Sequence, residues 1–205
     1  MRRALAVAAL AAVSQVAAAQ DKPAAWEGSL TGYWNAPRGG DDYGSAIFIA
    51  ARDKLHLEAR VNYEARHAQS AFVGWTFSVG EAQGVTLDAR PIVGYAGGDV
   101  KGPIAGFEAA VAWGKVDWYI EAEYVHDRTE GSSHYTYAWS ELGWRPVEPL
   151  RLGIVTQRTR TYGSERELQR GGFAQLTFGK VTGSVFWFNP GSHEQVVIGA
   201  LGISF

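Results

Sequence analysis

The chain has no cysteine and a single methionine in 205 residues. Without cysteine there is no disulfide scaffold to hold a small loop-rich fold together. Beyond the first twenty residues, no apolar run reaches the eighteen or so positions that a spanning helix needs. Charge of one sign is scarce as well. The 19 basic and 21 acidic side chains nearly cancel at −2, and no basic stripe marks a nucleic-acid surface. The five histidines form no metal-ligand spacing such as HExxH, so neither a metal nor a cofactor is expected. Glycine (25) and the aromatics (8 Trp, 9 Tyr, 9 Phe) are abundant instead. A chain without helical spans can still cross a bilayer if it closes a sheet on itself.

Residues 1–20, MRRALAVAALAAVSQVAAAQ, have the layout of a secretory signal. Arg2 and Arg3 form its basic start, Ala4 to Val13 its apolar stretch, and Ala17-Ala18-Ala19 a small-residue cleavage site. Residues 21–205 are then expected to form one domain. Loss of the two arginines makes its net charge more negative by two.

The clearest pattern lies at Phe107–Tyr124, FEAAVAWGKVDWYIEAEY. Phe107, Ala109, Val111 and Trp113 alternate with Glu108, Ala110 and Ala112. After Gly114-Lys115, Val116, Trp118, Ile120, Ala122 and Tyr124 alternate with Asp117, Tyr119, Glu121 and Glu123. Period two on both sides of a tight turn predicts a β-hairpin. Arms of about ten residues are long enough for tilted strands to cross a membrane. The apolar face begins and ends in aromatics, as expected where a strand meets both bilayer interfaces.

The same alternation repeats along the chain and predicts an all-β fold: a transmembrane, antiparallel, up-and-down β-barrel of about 12 strands, with 10 as the alternative. Connections alternate between short (RDK, GK, PVEP, GK) and longer polar segments, which predicts periplasmic turns, external loops and both termini on the periplasmic side. Parity places Ile47, Ile49 and Tyr63 outward and assigns Tyr43 and Tyr63 to the external aromatic girdle. Pro91, which cannot donate a ladder bond, predicts a bulge. No charged residue falls at outward parity in mid-strand. A midplane Arg or Lys on the lipid face would cost about 2–4 kcal/mol. A soluble barrel would reverse the two faces; the girdles argue against it.

A chain of alternating strands ending in VVIGALGISF resembles bacterial (Gram-negative) outer-membrane β-barrels. Its length and strand number resemble those of the poorly characterised TorF-like porins. The resemblance implies a porin-like channel in the outer membrane rather than an enzyme, with outer-membrane lipid and lipopolysaccharide, small solutes and the barrel-assembly machinery as partners. Phe205 would be the signal that this machinery reads.

Inward parity sorts the candidate site residues. Glu58, Arg60, Asp88, Arg90, Glu108, Glu121, Glu123, Glu141 and Arg151 are expected to line a lumen or constriction. Opposed charges across a narrow passage create a field that selects dipolar or charged solutes. The same groups could instead pair across the lumen and close it. The inward aromatics Tyr119, Tyr137, Trp139, Phe173 and Phe186 could stack on ring-shaped solutes or simply fill space. Arg158, Arg160, Arg166 and Arg170 cluster at one external rim, suited to lipopolysaccharide phosphates. A closed structural or surface-interaction barrel is the alternative function. A lipid- or peptide-modifying enzyme is a third, with His126 and Asp127, His134 and Ser132 or Ser133, and His193 and Ser192 as pairs lacking any diagnostic spacing.

Overall fold

In the computed structural model, Gly114 and Gly179 open two-residue turns with φ of 56° and 58°. That left-handed conformation costs glycine little and matches the twist of a hairpin. Around Gly114-Lys115 the register is Trp113↔Val116, Val111↔Trp118 and Ala109↔Ile120, so the outward residues of both arms meet in cross-strand pairs.

The structure describes residues 25–81, 84–132, 134–162 and 166–205; the segment read as an export signal lies outside them. The strands are β1 (Glu27–Pro37), β2 (Tyr43–Arg52), β3 (Leu55–Val61), β4 (Ala68–Trp75), β5 (Phe77–Gly80), β6 (Val85–Gly98) and β7 (Gly102–Trp113). They continue with β8 (Val116–Val125), β9 (Tyr135–Val147), β10 (Leu150–Thr161), β11 (Arg166–Phe178), β12 (Val181–Phe188) and β13 (Val196–Ser204). Sequence neighbours pair antiparallel, except that β4 and β5 both pair with β6, and β1 pairs with β13, which closes the wall. No helix occurs among the described residues.

β4 and β5 occupy one position in this wall. Both pair with β6, and the register continues across the gap from Gly74↔Ile92 to Phe77↔Ala89. The interruption at Trp75-Thr76 lies opposite Arg90-Pro91, where the missing proline N–H removes a ladder bond. The barrel is therefore a closed, antiparallel one of twelve strands. The bulge expected at Pro91 does not form. The register shift lies instead between Leu150 and Leu152, where β10 leaves its turn with β9.

The two faces separate as alternation predicts. Trp113, Phe178 and Leu201 are 69%, 67% and 65% exposed on the outside. The outward hydroxyl of Ser140 is not left unsatisfied, because it accepts a 2.8 Å hydrogen bond from Trp118 Nε1. Several strands run further than alternation indicates. β6 reaches Gly98 and β7 begins at Gly102, because glycine and proline carry no hydropathy contrast although their backbone pairs normally.

Parity fails in two places. β2 reads Ile47-Phe48-Ile49, apolar at every position, and the structure turns the isoleucines inward (3% and 2% exposed). Phe48 faces out and stacks on Phe205, with ring centroids 6.4 Å apart. Tyr43 shares the parity of the isoleucines and lines the interior mouth rather than a girdle. Tyr63 is the other case. β3 ends at Val61 and Asn62 takes a φ of 54°, which swings Tyr63 inward, edge-on to Tyr137.

The seam is closed by reciprocal 2.9 Å bonds between the backbones of Gly28 and Phe205. A Cβ on Gly28 would lie on the Phe205 ring. Gly28→Leu is therefore expected to displace the terminal aromatic and slow barrel closure, read as a smaller heat-modifiable fraction on cold SDS gels. Wild-type closure would mean that the ring adapts freely.

Candidate functional site

The first and last described residues, Ala25 and Phe205, and the tight turns share one end of the barrel, the turn end; the longer connections mark the loop end. Between them, the inward side chains of β3, β8, β9 and β10 build two arginine-centred clusters.

Strict alternation puts His56, Glu58 and Arg60 in a row on the inner face of β3, all buried. Arg60 Nε donates to Glu58 Oε1. Its Nη2 lies 2.7 Å from Glu123 Oε1 and 3.1 Å from Glu121 Oε1 across the lumen on β8, and Nη1 lies 3.4 Å from Glu64. The guanidinium sits 4.2 Å from the ring centre of Phe72 and 4.6 Å from that of Tyr63. A planar, delocalised cation tolerates this mixed setting better than an ammonium would. Carboxylates outnumber the cation here, so the cluster carries an acidic excess.

The second cluster is centred on Arg151 of β10. Its Nη1 lies 2.7 Å from Glu141 Oε2 and its Nη2 2.7 Å from Asp117 Oδ1. Phe173 packs 4.4 Å from the guanidinium carbon. Gly143 makes room for this: a Cβ there would overlap the guanidinium. Trp139 Nε1 donates to Glu141 Oε1 at 2.9 Å and links the cluster to the aromatics.

The predicted lumen residues thus sort into groups. Glu58, Arg60, Glu121 and Glu123 meet in the first cluster, and Glu141 and Arg151 in the second. Arg90 pairs with Glu108 at 2.7 Å and donates to Thr76 Oγ1. Asp88 stands apart near the turn end, accepting from Ser78. His56, Glu64 and Asp117 also belong to these networks. Alternation marks His56 and Asp117 as inward, but Glu64 lies beyond the end of β3 and has no parity to read.

Apolar side chains fill the other side of the lumen. Phe186, Phe188 and Trp139 are 1%, 0% and 2% exposed, and the tryptophan ring meets each phenylalanine edge-on at 5.3 Å. Tyr119 and Phe173 join this core, with Ile47 and Ile49 inside it, while Tyr137 packs at its edge. At the loop end, two cavities of about 240 Å³ each share Tyr43, Asn62, Tyr63, Tyr137 and Gln157. Hydroxyl and amide groups line this vestibule, and the packed middle lies beneath it.

Arg158, Arg160 and Arg170 lie exposed at the loop end of β10 and β11; the side chain of Arg166 lies outside the described residues. Among the described residues the His126–Asp127 pair does not form, and Ser133 lies outside them. His126 stacks on His134 at 4.0 Å, and Asp127 instead accepts from the backbone N–H groups of Lys101 and Thr129. Burial disfavours the Asp127 charge, but these bonds outweigh it and hold the carboxyl below its usual range.

No family model matches the chain, and no curated protein matches it in sequence. Among solved structures it is similar to the KdgM porin, with a TM-score of 0.59 at 8% identity over 86% of this chain and 99% of the other. The fold is that of a porin barrel. A chain from a study of in-meso crystallization of membrane proteins is similar at a TM-score of 0.56 and 10% identity, covering 87% of this chain and 83% of the other. The translocator domain of the autotransporter NalP from Neisseria meningitidis aligns at a TM-score of 0.39 and 12% identity, covering 98% of this chain and 94% of the other.

Proposed function

We propose that the protein is an outer-membrane, porin-like channel for passive diffusion of small polar or charged solutes, narrow and occluded at mid-depth when its side chains are at rest. The observation that carries this reading is a closed twelve-strand wall, apolar outside, enclosing an acid-rich cluster around Arg60 and a balanced one in which Arg151 and Arg145 meet Asp117 and Glu141. The solved barrel it resembles is itself a porin. Residues 1–20 would direct export, Phe205 would be read by the assembly machinery, and the TorF-like resemblance belongs to the same class of protein. Displacement of the Arg60 guanidinium would open a passage whose acidic excess favours cations.

Single-channel recording of the refolded protein tests this. Small, cation-preferring steps are expected; a reversal potential showing anion selectivity would remove the electrostatic reading. The rival reading, a closed structural or surface-interaction barrel, draws on the burial of Arg60 and Arg151, each 1% exposed. Absence of any opening in correctly folded protein would decide for it.

A further inference from the structure

The outer surface of a membrane barrel is usually a lawn of side chains, but this one has a trough. It is a shallow, open depression of about 820 Å³ across β10–β13 and β1, over Ala174, Gly183, Gly199 and Gly32, with Trp34 and Leu201 among its walls. Register makes these positions neighbours: Gly183 and Gly32 both pair with Leu201, while Gly199 pairs with Val185 and Trp34. A Cβ built at Gly32, Gly183 or Gly199 meets nothing within 4 Å, so close packing within the chain does not require glycine there. Glycine inside a strand weakens it and often marks the close approach of another molecule.

A second feature stands above the trough. Arg170 shares the outer face of β11 with Gly172 and Ala174. Arg158 and Arg160 lie diagonally beside it on β10, where Thr156 opposes Arg170 and Arg158 opposes Leu168. None of the three arginines forms an ion pair among the described residues. At about 3.3 Å per residue, Arg170 lies roughly 13 Å from Ala174 along the strand, about 10 Å of height once a barrel strand's tilt of roughly 40° is allowed for. Gly172, two residues nearer the trough, pairs with the outward Trp187, an aromatic of the kind that marks the bilayer interface. The cations therefore fall at headgroup height, and the trough lies where acyl chains would run.

We propose that this surface is a binding site for lipopolysaccharide: guanidinium groups hold its phosphates, and an acyl chain lies in the glycine trough. Several clustered arginines match a headgroup with more than one phosphate, since planar guanidinium forks pair with phosphate in bidentate fashion. The proposal rests on placement in the outer membrane and is independent of whether the lumen conducts.

The test uses full-length protein extracted from membranes in mild detergent, with retained lipopolysaccharide quantified by native mass spectrometry. One variant combines Arg158→Gln, Arg160→Gln and Arg170→Gln; another combines Gly183→Leu and Gly199→Leu, at positions where an added Cβ meets nothing within 4 Å. The arginine variant is expected to lower retention by roughly tenfold or more, the scale of losing one charged hydrogen bond, and the trough variant to lower it by excluding the acyl chain. Thermal stability should stay unchanged. The control Ala109→Leu, on the outer face of β7, should retain the wild-type amount. Rebinding of purified lipopolysaccharide should exceed rebinding of its dephosphorylated form. Unchanged retention in both variants overturns the proposal. So does equal binding of phosphatidylglycerol, or a trough variant that only abolishes a dimer and so assigns the surface to a second copy. Failure of the conductance test would leave these outcomes untouched.

Discussion

Replacing Arg60 with methionine is expected to destabilise the barrel by about 3–5 kcal/mol, the usual cost of removing one partner from a buried ion cluster. The penalty comes from what remains. Glu58, Glu121 and Glu123 would face one another in an interior where Arg60 and Glu58 have no accessible side-chain surface. Like charges at that range cannot all stay ionised. Some must take up protons, or water must enter. Water entry makes the same substitution a functional test, because a hydrated gap at this depth would raise conductance. Urea unfolding in lipid vesicles measures the first effect and planar-bilayer current the second. Adding Glu123→Gln to Arg60→Met should recover part of the lost stability, and the double-mutant cycle reports the coupling. If Arg60→Met unfolded at the wild-type urea concentration, the cluster would already be hydrated and the lumen open.

Trp139→Ala should have a comparable effect for a different reason. The ring is 2% exposed, contacts Phe186 and Phe188 edge-on, and hydrogen-bonds Glu141. Large-to-small changes of this kind cost about 3–5 kcal/mol where the cavity does not collapse, and a barrel wall tied by ladders on both sides has little freedom to collapse. The void would connect the vestibule at Tyr63 and Tyr137 with the Arg151 cluster, so larger current steps should accompany lower stability. Trp139→Phe keeps most of the volume and should preserve the small steps. A stability loss without any change in current would assign Trp139 to packing alone and leave the conduction route on the Arg60 side.

The balance between these two clusters separates this interior from a water-filled porin. The chain encloses apolar core and ionic network side by side, in a ring narrow enough for side chains to span. In the proposed channel, conduction depends on moving a few large groups rather than on a standing pore.

Alternation alone was enough to place Glu58, Arg60, Glu108, Glu121, Glu123, Glu141 and Arg151 on one face with Trp139, and the other seven tryptophans on the opposite face, because a strand's side-chain period of two admits only two faces. Where contrast vanished, so did the information. Ile47-Phe48-Ile49 is apolar at either parity, and the packing of Phe48 on Phe205, a contact across the seam, settles which side faces in. Tyr63 depends on a backbone reversal at Asn62 that hydropathy does not encode. Which carboxylate meets which guanidinium is likewise unreadable along the chain. Arg60 and Glu123 are 63 positions apart, and their 2.7 Å contact exists only because closure of the wall carries β8 across from β3. Local chemistry can sort each side chain to the inside or the outside; its partner across the lumen is chosen by the curvature of the whole sheet.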